Sequence, residues 1–127
     1  MKEIYIFTYG TLKRGFSNNH FLNDALFVSN SITCEKYSMY PCTNNMFPFL
    51  IKSEKKYQIK GEVFKTNSKK LLDDLDYLEG YPNLYLREFI NVKLENNSIV
   101  KALVYFKNED THLNTVDYSK PINEWKI

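Results

Sequence analysis

Residues Tyr57 to Thr66 set Tyr57, Ile59, Gly61 and Val63 against Gln58, Lys60, Glu62 and Phe64, the period of two that marks a strand. Glu3 to Tyr9 is apolar on both faces: Ile4 and Ile6 point one way, Tyr5, Phe7 and Tyr9 the other. A strand apolar on both sides belongs in the middle of a sheet. Leu84 to Glu95 predicts a long strand and Asn96-Asn97 a hairpin turn. Ile99 to Lys107 returns as its partner, with Val100, Ala102, Val104 and Phe106 on one face and Ile99, Leu103 and Tyr105 on the other. The period changes to that of a helix over Lys69 to Glu79, where Leu71, Leu72, Leu75 and Leu78 make one stripe behind a cap at Asn67 or Ser68. Asp73, Asp74 and Asp76 then fall on the outer side.

Weaker patterns fill the gaps. Ser17 predicts the start of a short helix carrying Phe21, Leu22, Ala25 and Leu26, and a strand follows near Ser31 to Tyr37. Residues 38–49, with Pro41 and Pro48, read as a loop. The tail from Asn108 is polar, with Pro121, Ile122 and Trp125 expected to dock. The order β-α-β-β-α-β-β describes an α+β fold on a small, curved, mostly antiparallel sheet.

Composition narrows the classes. The 127 residues suit one domain spanning 1–127, and 43% apolar with 25% charged residues is a globular balance. Seventeen basic against fifteen acidic residues leave +2, too little to argue for nucleic acid or an anionic membrane. The lysines from Lys52 to Lys70 alternate with strand residues and read as a solvated face. No apolar run is long enough for a membrane span, and the charged, short N-terminal stretch does not read as a signal peptide, so a cytoplasmic protein is expected. Cys34 and Cys42 match no zinc spacing and are expected as reduced thiols, and His20 and His112 lie far apart, so no metal is expected.

Four segments carry candidate chemistry. Glu79 continues the apolar stripe of its helix, four residues after Leu75, and sits in the last turn before Gly80 and Pro82. Exposed carbonyls there disfavour a negative charge. Either Glu79 is buried with a raised pKa, as functional carboxylates are, or the helix frays and it swings into water. Tyr9-Gly10-Thr11-Leu12-Lys13-Arg14-Gly15 follows the first strand; its amides are either a cradle for an anion or carbonyl, or part of a plain strand-to-helix turn. Tyr85 and Arg87 share a strand face and either reach toward Glu79 or serve as core and surface. Tyr40-Pro41 with Phe47-Pro48-Phe49 is either an aromatic pocket wall or a loop pinned on the core.

Together these segments resemble the gamma-glutamylcyclotransferase-like superfamily, most closely its gamma-glutamylamine cyclotransferase branch. The resemblance rests on Phe7-Thr8-Tyr9-Gly10-Thr11-Leu12-Lys13-Arg14-Gly15 with Asn19-His20, then Tyr40-Pro41 and Phe47-Pro48-Phe49-Leu50. It continues through Gly61-Glu62-Val63-Phe64, Leu72-Asp73-Asp74 to Glu79, Pro82, Tyr85-Leu86-Arg87 and Ala102-Leu103-Val104-Tyr105, covering roughly residues 4 to 106. It implies a small mixed β-barrel with flanking helices, no metal and no cofactor. The implied reaction cyclises the gamma-glutamyl group of a small amine or amino-acid conjugate to 5-oxoproline, with Glu79 as the single acid/base. Tyr9, Gly10, Thr11 and Leu12 would hold the glutamyl portion, and Phe47, Pro48, Phe49 and Tyr85 would complete the substrate pocket. A non-catalytic small-ligand-binding protein of the same fold is the second reading.

Overall fold

The computed structural model describes residues 1–111 and 115–126. Six strands and one α-helix follow one another as β1 (Ile4–Thr8), β2 (Leu26–Pro41), β3 (Pro48–Ile51), β4 (Tyr57–Thr66), α1 (Lys69–Glu79), β5 (Tyr85–Leu94) and β6 (Ile99–Lys107). Hydrogen bonding runs β3-β2-β4-β1-β6-β5, and β2 pairs again with β5, so β2, β4, β1, β6 and β5 close on themselves as a barrel. β1 lies between β4 and β6 as its double apolar pattern predicts; its pairing with β6 is parallel and the others are antiparallel.

Period-two alternation divides the side chains between two cores. Phe7, Val63, Val92, Ala102, Val104 and Phe106 fill the barrel. Ile6, Phe64, Tyr85 and Tyr105 point outward, where Leu71 and Leu75 of α1 cover them together with Leu12, Leu22, Phe49 and Ile51. α1 starts at Ser68, whose Oγ accepts the Leu71 amide at 3.1 Å. Lys69–Asp73 and Lys70–Asp74 pair one turn apart on its wet side, and Lys52, Lys60 and Lys65 pair with Glu88, Glu124 and Glu3, as a solvated face would.

Three expectations are corrected. The helix expected after Ser17 is a single 3-10 turn, Asn19–Leu22, and Leu26 begins β2. β2 runs 16 residues instead of seven, because bulges between Phe27/Ser29 and Ile32/Lys36 bend it around the barrel and break the alternation that marks a strand. At the second bulge Thr33 replaces the missing ladder bond, its Oγ1 accepting the Ile59 amide at 2.9 Å. Residues 38–49 are not all loop: Ser38 to Pro41 pairs with Pro48 to Ile51 as a short hairpin on the barrel's side. The tail docks as expected. Ile122 bridges Met39, Ile122 and Trp125 pack on the inner core, and Lys13 Nζ donates to the Trp125 carbonyl at 2.6 Å.

Candidate active site

A cavity of about 450 Å³ opens between the end of β1, the loop after it, the β2–β3 turn and the C-terminal end of α1. Tyr9, Gly10, Thr11, Leu12, Phe47, Pro48, Phe49, Glu79 and Tyr85 all line it. Segments far apart in the chain thus meet around one space, whose lining runs in sequence from Ile6 to Thr115.

Glu79 reaches the cavity because α1 does not fray. Gly80 adopts a left-handed conformation at φ 66° and donates to Tyr77 O at 3.2 Å, while Tyr81 N donates to Asp76 O at 2.9 Å. This closing pattern uses up the last carbonyls and fixes the final turn. Leu78 packs with the outer core, and Glu79 beside it is half-buried on the cavity wall. Among the described residues its carboxylate accepts no hydrogen bond and pairs with no cation, so burial alone acts on it and lifts its pKa to about 7. A group with that affinity is present as acid and as base at neutral pH.

The loop after β1 is held by side chains. Asn18 N donates to Thr11 O at 2.9 Å and Asn18 Nδ2 to Thr11 Oγ1 at 3.0 Å. Asn19 Nδ2 reaches Leu12 O at 2.9 Å, and Glu62 accepts the Arg14 amide at 2.8 Å. Those bonds occupy the loop's carbonyls, and among the described residues the Thr11 and Leu12 amides donate to nothing. Gly10 permits the close approach of Pro48: a Cβ there would lie 2.8 Å from Pro48 Cγ. Lys13 and Arg14 play no part in the lining; Lys13 is tied to the tail and Arg14 to Glu62, with its guanidinium 3.5 Å from the Phe27 ring centroid.

Aromatic rings form the opposite wall. Phe47 meets Phe49 edge-on at 5.1 Å, and Phe49 stacks on Tyr85 at 6.3 Å. Burial, reinforced by Glu79, pushes the Tyr85 phenol well above its ordinary pKa; burial, then Tyr85 and Glu79, does the same to Tyr9. Both remain O–H groups near the carboxylate. Tyr9 donates to the Tyr105 carbonyl at 2.7 Å, and among the described residues the Tyr85 hydroxyl has no partner.

Other candidates lie elsewhere. Tyr40 is in the outer core, bonded to Glu54 at 2.5 Å, and is no part of the cavity wall. Arg87 does not reach Glu79; it pairs with Asp76, which faces the barrel and not the outer side expected of it. His20 is exposed against Phe21, and His112 lies outside the described residues. Among the described residues no three His, Cys, Asp or Glu side chains gather as a metal site would need, and no helix is long and apolar enough to cross a membrane. Both cysteines are free thiols. Sequence reasoning missed Asn18, Met46, Leu84 and Tyr105 as lining residues. The tyrosine's face was readable from the alternation of β6, but nothing local marks the other three.

A family model described as Gamma-glutamyl cyclotransferase, AIG2-like matches residues 6–126. The match therefore takes in the tail beyond residue 106. Gamma-glutamylaminecyclotransferase A of Danio rerio is 36% identical over 110 residues, covering 80% of this chain and 68% of its own. Gamma-glutamylaminecyclotransferase C of the same organism is 32% identical over 120 residues, covering 84% and 77%. The crystal structure of an AIG2-like protein from Mus musculus superposes with a TM-score of 0.77 at 26% identity, covering 90% of this chain and 82% of that one.

Proposed function

The chain belongs to the gamma-glutamyl cyclotransferase, AIG2-like family, and from that premise we propose that it converts a gamma-glutamyl amide to 5-oxoproline and the free amine, with Glu79 as acid and base. The observation that carries this reading is the carboxylate of Glu79, half-buried and without a partner among the described residues on the wall of a cavity of about 450 Å³, its pKa raised to about 7 by desolvation.

The chemistry needs one such group. The substrate's α-ammonium has no lone pair, so Glu79 takes a proton from it. The amine nitrogen then attacks the γ-carbonyl carbon of the same molecule, forming the ring C–N bond and moving the carbonyl electron pair onto oxygen. When that pair returns, the bond to the outer nitrogen breaks as Glu79 delivers its proton there, and the ring nitrogen, which still carries two hydrogens, gives its second proton to the freed carboxylate. Glu79 passes that second proton to the released amine, so two protons travel from the attacking to the leaving nitrogen and the carboxylate ends as it began. A pKa near working pH serves both steps. No covalent enzyme intermediate arises, so no Ser or Cys nucleophile is required.

The rest of the cavity orients the substrate. Thr11 and Leu12 present amides to the negatively charged glutamyl end or to the oxyanion. Tyr85 adds an O–H donor beside Glu79. The Phe47-Pro48-Phe49 wall excludes water and holds the chain bent for ring closure, which converts much of the barrier into an orientation already achieved. Expression as one folded unit, residues 1–127, supplies every group named.

The test is product identity. A gamma-glutamyl amide incubated with the protein should give equimolar 5-oxoproline and amine. Release of glutamate in place of 5-oxoproline would mean that water is the nucleophile, and would reject intramolecular attack.

A further inference from the structure

Asn18 donates to Thr11 twice, and the two bonds are not equivalent. Its backbone amide reaches Thr11 O at 2.9 Å and anchors the loop after β1. Asn19 Nδ2 fixes the next carbonyl, Leu12 O, at 2.9 Å. The Asn18 side chain instead donates to a hydroxyl, with Nδ2 at 3.0 Å from Thr11 Oγ1. A carbonyl that accepts a bond is only held in place, whereas a hydroxyl that accepts one still has a proton of its own to give. An amide nitrogen cannot accept that proton, so it turns away from Asn18. Among the described residues Thr11 Oγ1 donates to nothing, and both Thr11 and Asn18 line the cavity. With the unused Thr11 amide, one residue thus offers an N–H and an O–H to the same space.

Resting on the reaction proposed above, we propose that Asn18 is a positioning residue: by occupying a lone pair of the Thr11 hydroxyl, it aims that hydroxyl's proton at the α-carboxylate of the substrate. A carboxylate accepts several bonds at once, and the Thr11 N–H, Thr11 O–H and Leu12 N–H are donors from two adjacent residues. Asn18 itself touches no reacting atom and acts through Thr11. Without its side chain the hydroxyl rotates freely, and binding must then order it. The α-carboxylate keeps its charge from bound substrate to transition state, so a bond to it strengthens both alike. Its loss raises KM and leaves kcat nearly unchanged. The Asn18 backbone bond to Thr11 O survives any substitution of the side chain except proline, so the loop keeps its anchor while the hydroxyl loses its direction.

A double-mutant cycle on KM and kcat, read from 5-oxoproline formation on one gamma-glutamyl amide, tests this. Thr11→Val removes the hydroxyl at constant shape and should raise KM about tenfold, the order of a lost bond to a charged group. Asn18→Ala should raise it about fivefold, with kcat within about twofold. The double variant should be no worse than Thr11→Val alone, because Asn18 has nothing left to direct. In a Thr11→Ser background, where a hydroxyl remains, Asn18→Ala should keep its effect. Asn18→Leu fills the space of the asparagine without a donor and runs the same cycle should Asn18→Ala not fold, as melting temperatures will show. Additive losses, about fiftyfold in the double variant, would overturn the proposal, since Asn18 would then act independently of the hydroxyl. So would an unchanged KM, or a fall in kcat at constant KM, which would place the donor at the oxyanion. Absence of 5-oxoproline with the wild type would instead reject the reaction itself, and this inference with it.

Discussion

Arg87 on β5 donates from Nη1 to both carboxylate oxygens of Asp76 on α1, at 2.8 and 2.6 Å, and so ties the last turns of the helix to the barrel wall. Tyr105 of β6 donates to the same carboxylate at 2.7 Å, and the Arg87 guanidinium stacks over Tyr81 at 4.4 Å. Burial, then the bond to Asp76, drives the Tyr105 phenol far above its ordinary pKa, so it stays a donor. The cluster lies one turn before Glu79, and the Tyr105 backbone also receives the Tyr9 hydroxyl. It holds the elements on two sides of the cavity in register.

Asp76→Ala should therefore destabilise the fold more than Arg87→Ala, because it strands both the guanidinium and the phenol. For partly buried pairs of this kind the losses should be about 2–3 and about 1–2 kcal/mol. Urea unfolding measures both. Additive effects in the double variant would contradict a shared network.

Gly10→Ala tests the closeness of the loop to Pro48. The new methyl group meets Pro48 Cγ at 2.8 Å, and one side must yield. Overpacking of this sort costs about 1–3 kcal/mol. KM should rise with it, since the loop amides move with Gly10. A variant with unchanged melting temperature and unchanged KM would show that the contact is not tight.

Glu79 makes stability depend on pH in a definite direction. Its folded pKa of about 7 lies above the ordinary 4.5, so the folded state binds a proton that the unfolded state has released between those values. Stability must fall as pH rises through that window. Glu79→Gln removes the burden. At 1.4 kcal/mol per tenfold in proton affinity, it should stabilise the protein by up to about 3 kcal/mol at pH 8 and by little at pH 5. Equal effects at the two pH values would place the carboxylate in water.

Lys13→Met should loosen the tail. The ammonium holds the Trp125 carbonyl, and the Lys60 amide donates to Asn123 O at 2.8 Å in the same stretch. Burial already lowers the Lys13 pKa, with Glu124 and Glu62 opposing it, so the charge is held at a cost that the bond to Trp125 offsets. Hydrogen exchange at Lys60 should quicken while exchange at the core strands stays slow. Unchanged exchange at Lys60 would mean that Ile122 and Trp125 hold the tail by packing alone.

The elements read best from the sequence are those in which one period runs unbroken. Tyr57 to Thr66 and Lys69 to Glu79 have the bounds expected of them. β2 was legible only in its middle, because its bulges shift side chains from face to face, and β3 is a four-residue strand that starts at a proline. The 3-10 turn deceived because Phe21, Leu22 and Ala25 pack on the outer core, as a helix stripe would, without further turns to carry them. At the site, Glu79 was legible because it breaks two rules, polar on an apolar stripe and negative at the wrong end of a dipole. Asp76 was not: only the closed barrel reveals that the side of α1 it occupies meets β5 and β6.

The central claim is that Glu79 moves the proton. The most direct measurement is single-turnover formation of 5-oxoproline by wild type and Glu79→Gln on one gamma-glutamyl amide, with melting temperatures recorded on the same preparations. The amide side chain keeps the shape and removes the base, so the rate should fall by about 10³ or more while the variant melts no lower than wild type. A folded Glu79→Gln protein that forms 5-oxoproline at close to the wild-type rate would contradict the account.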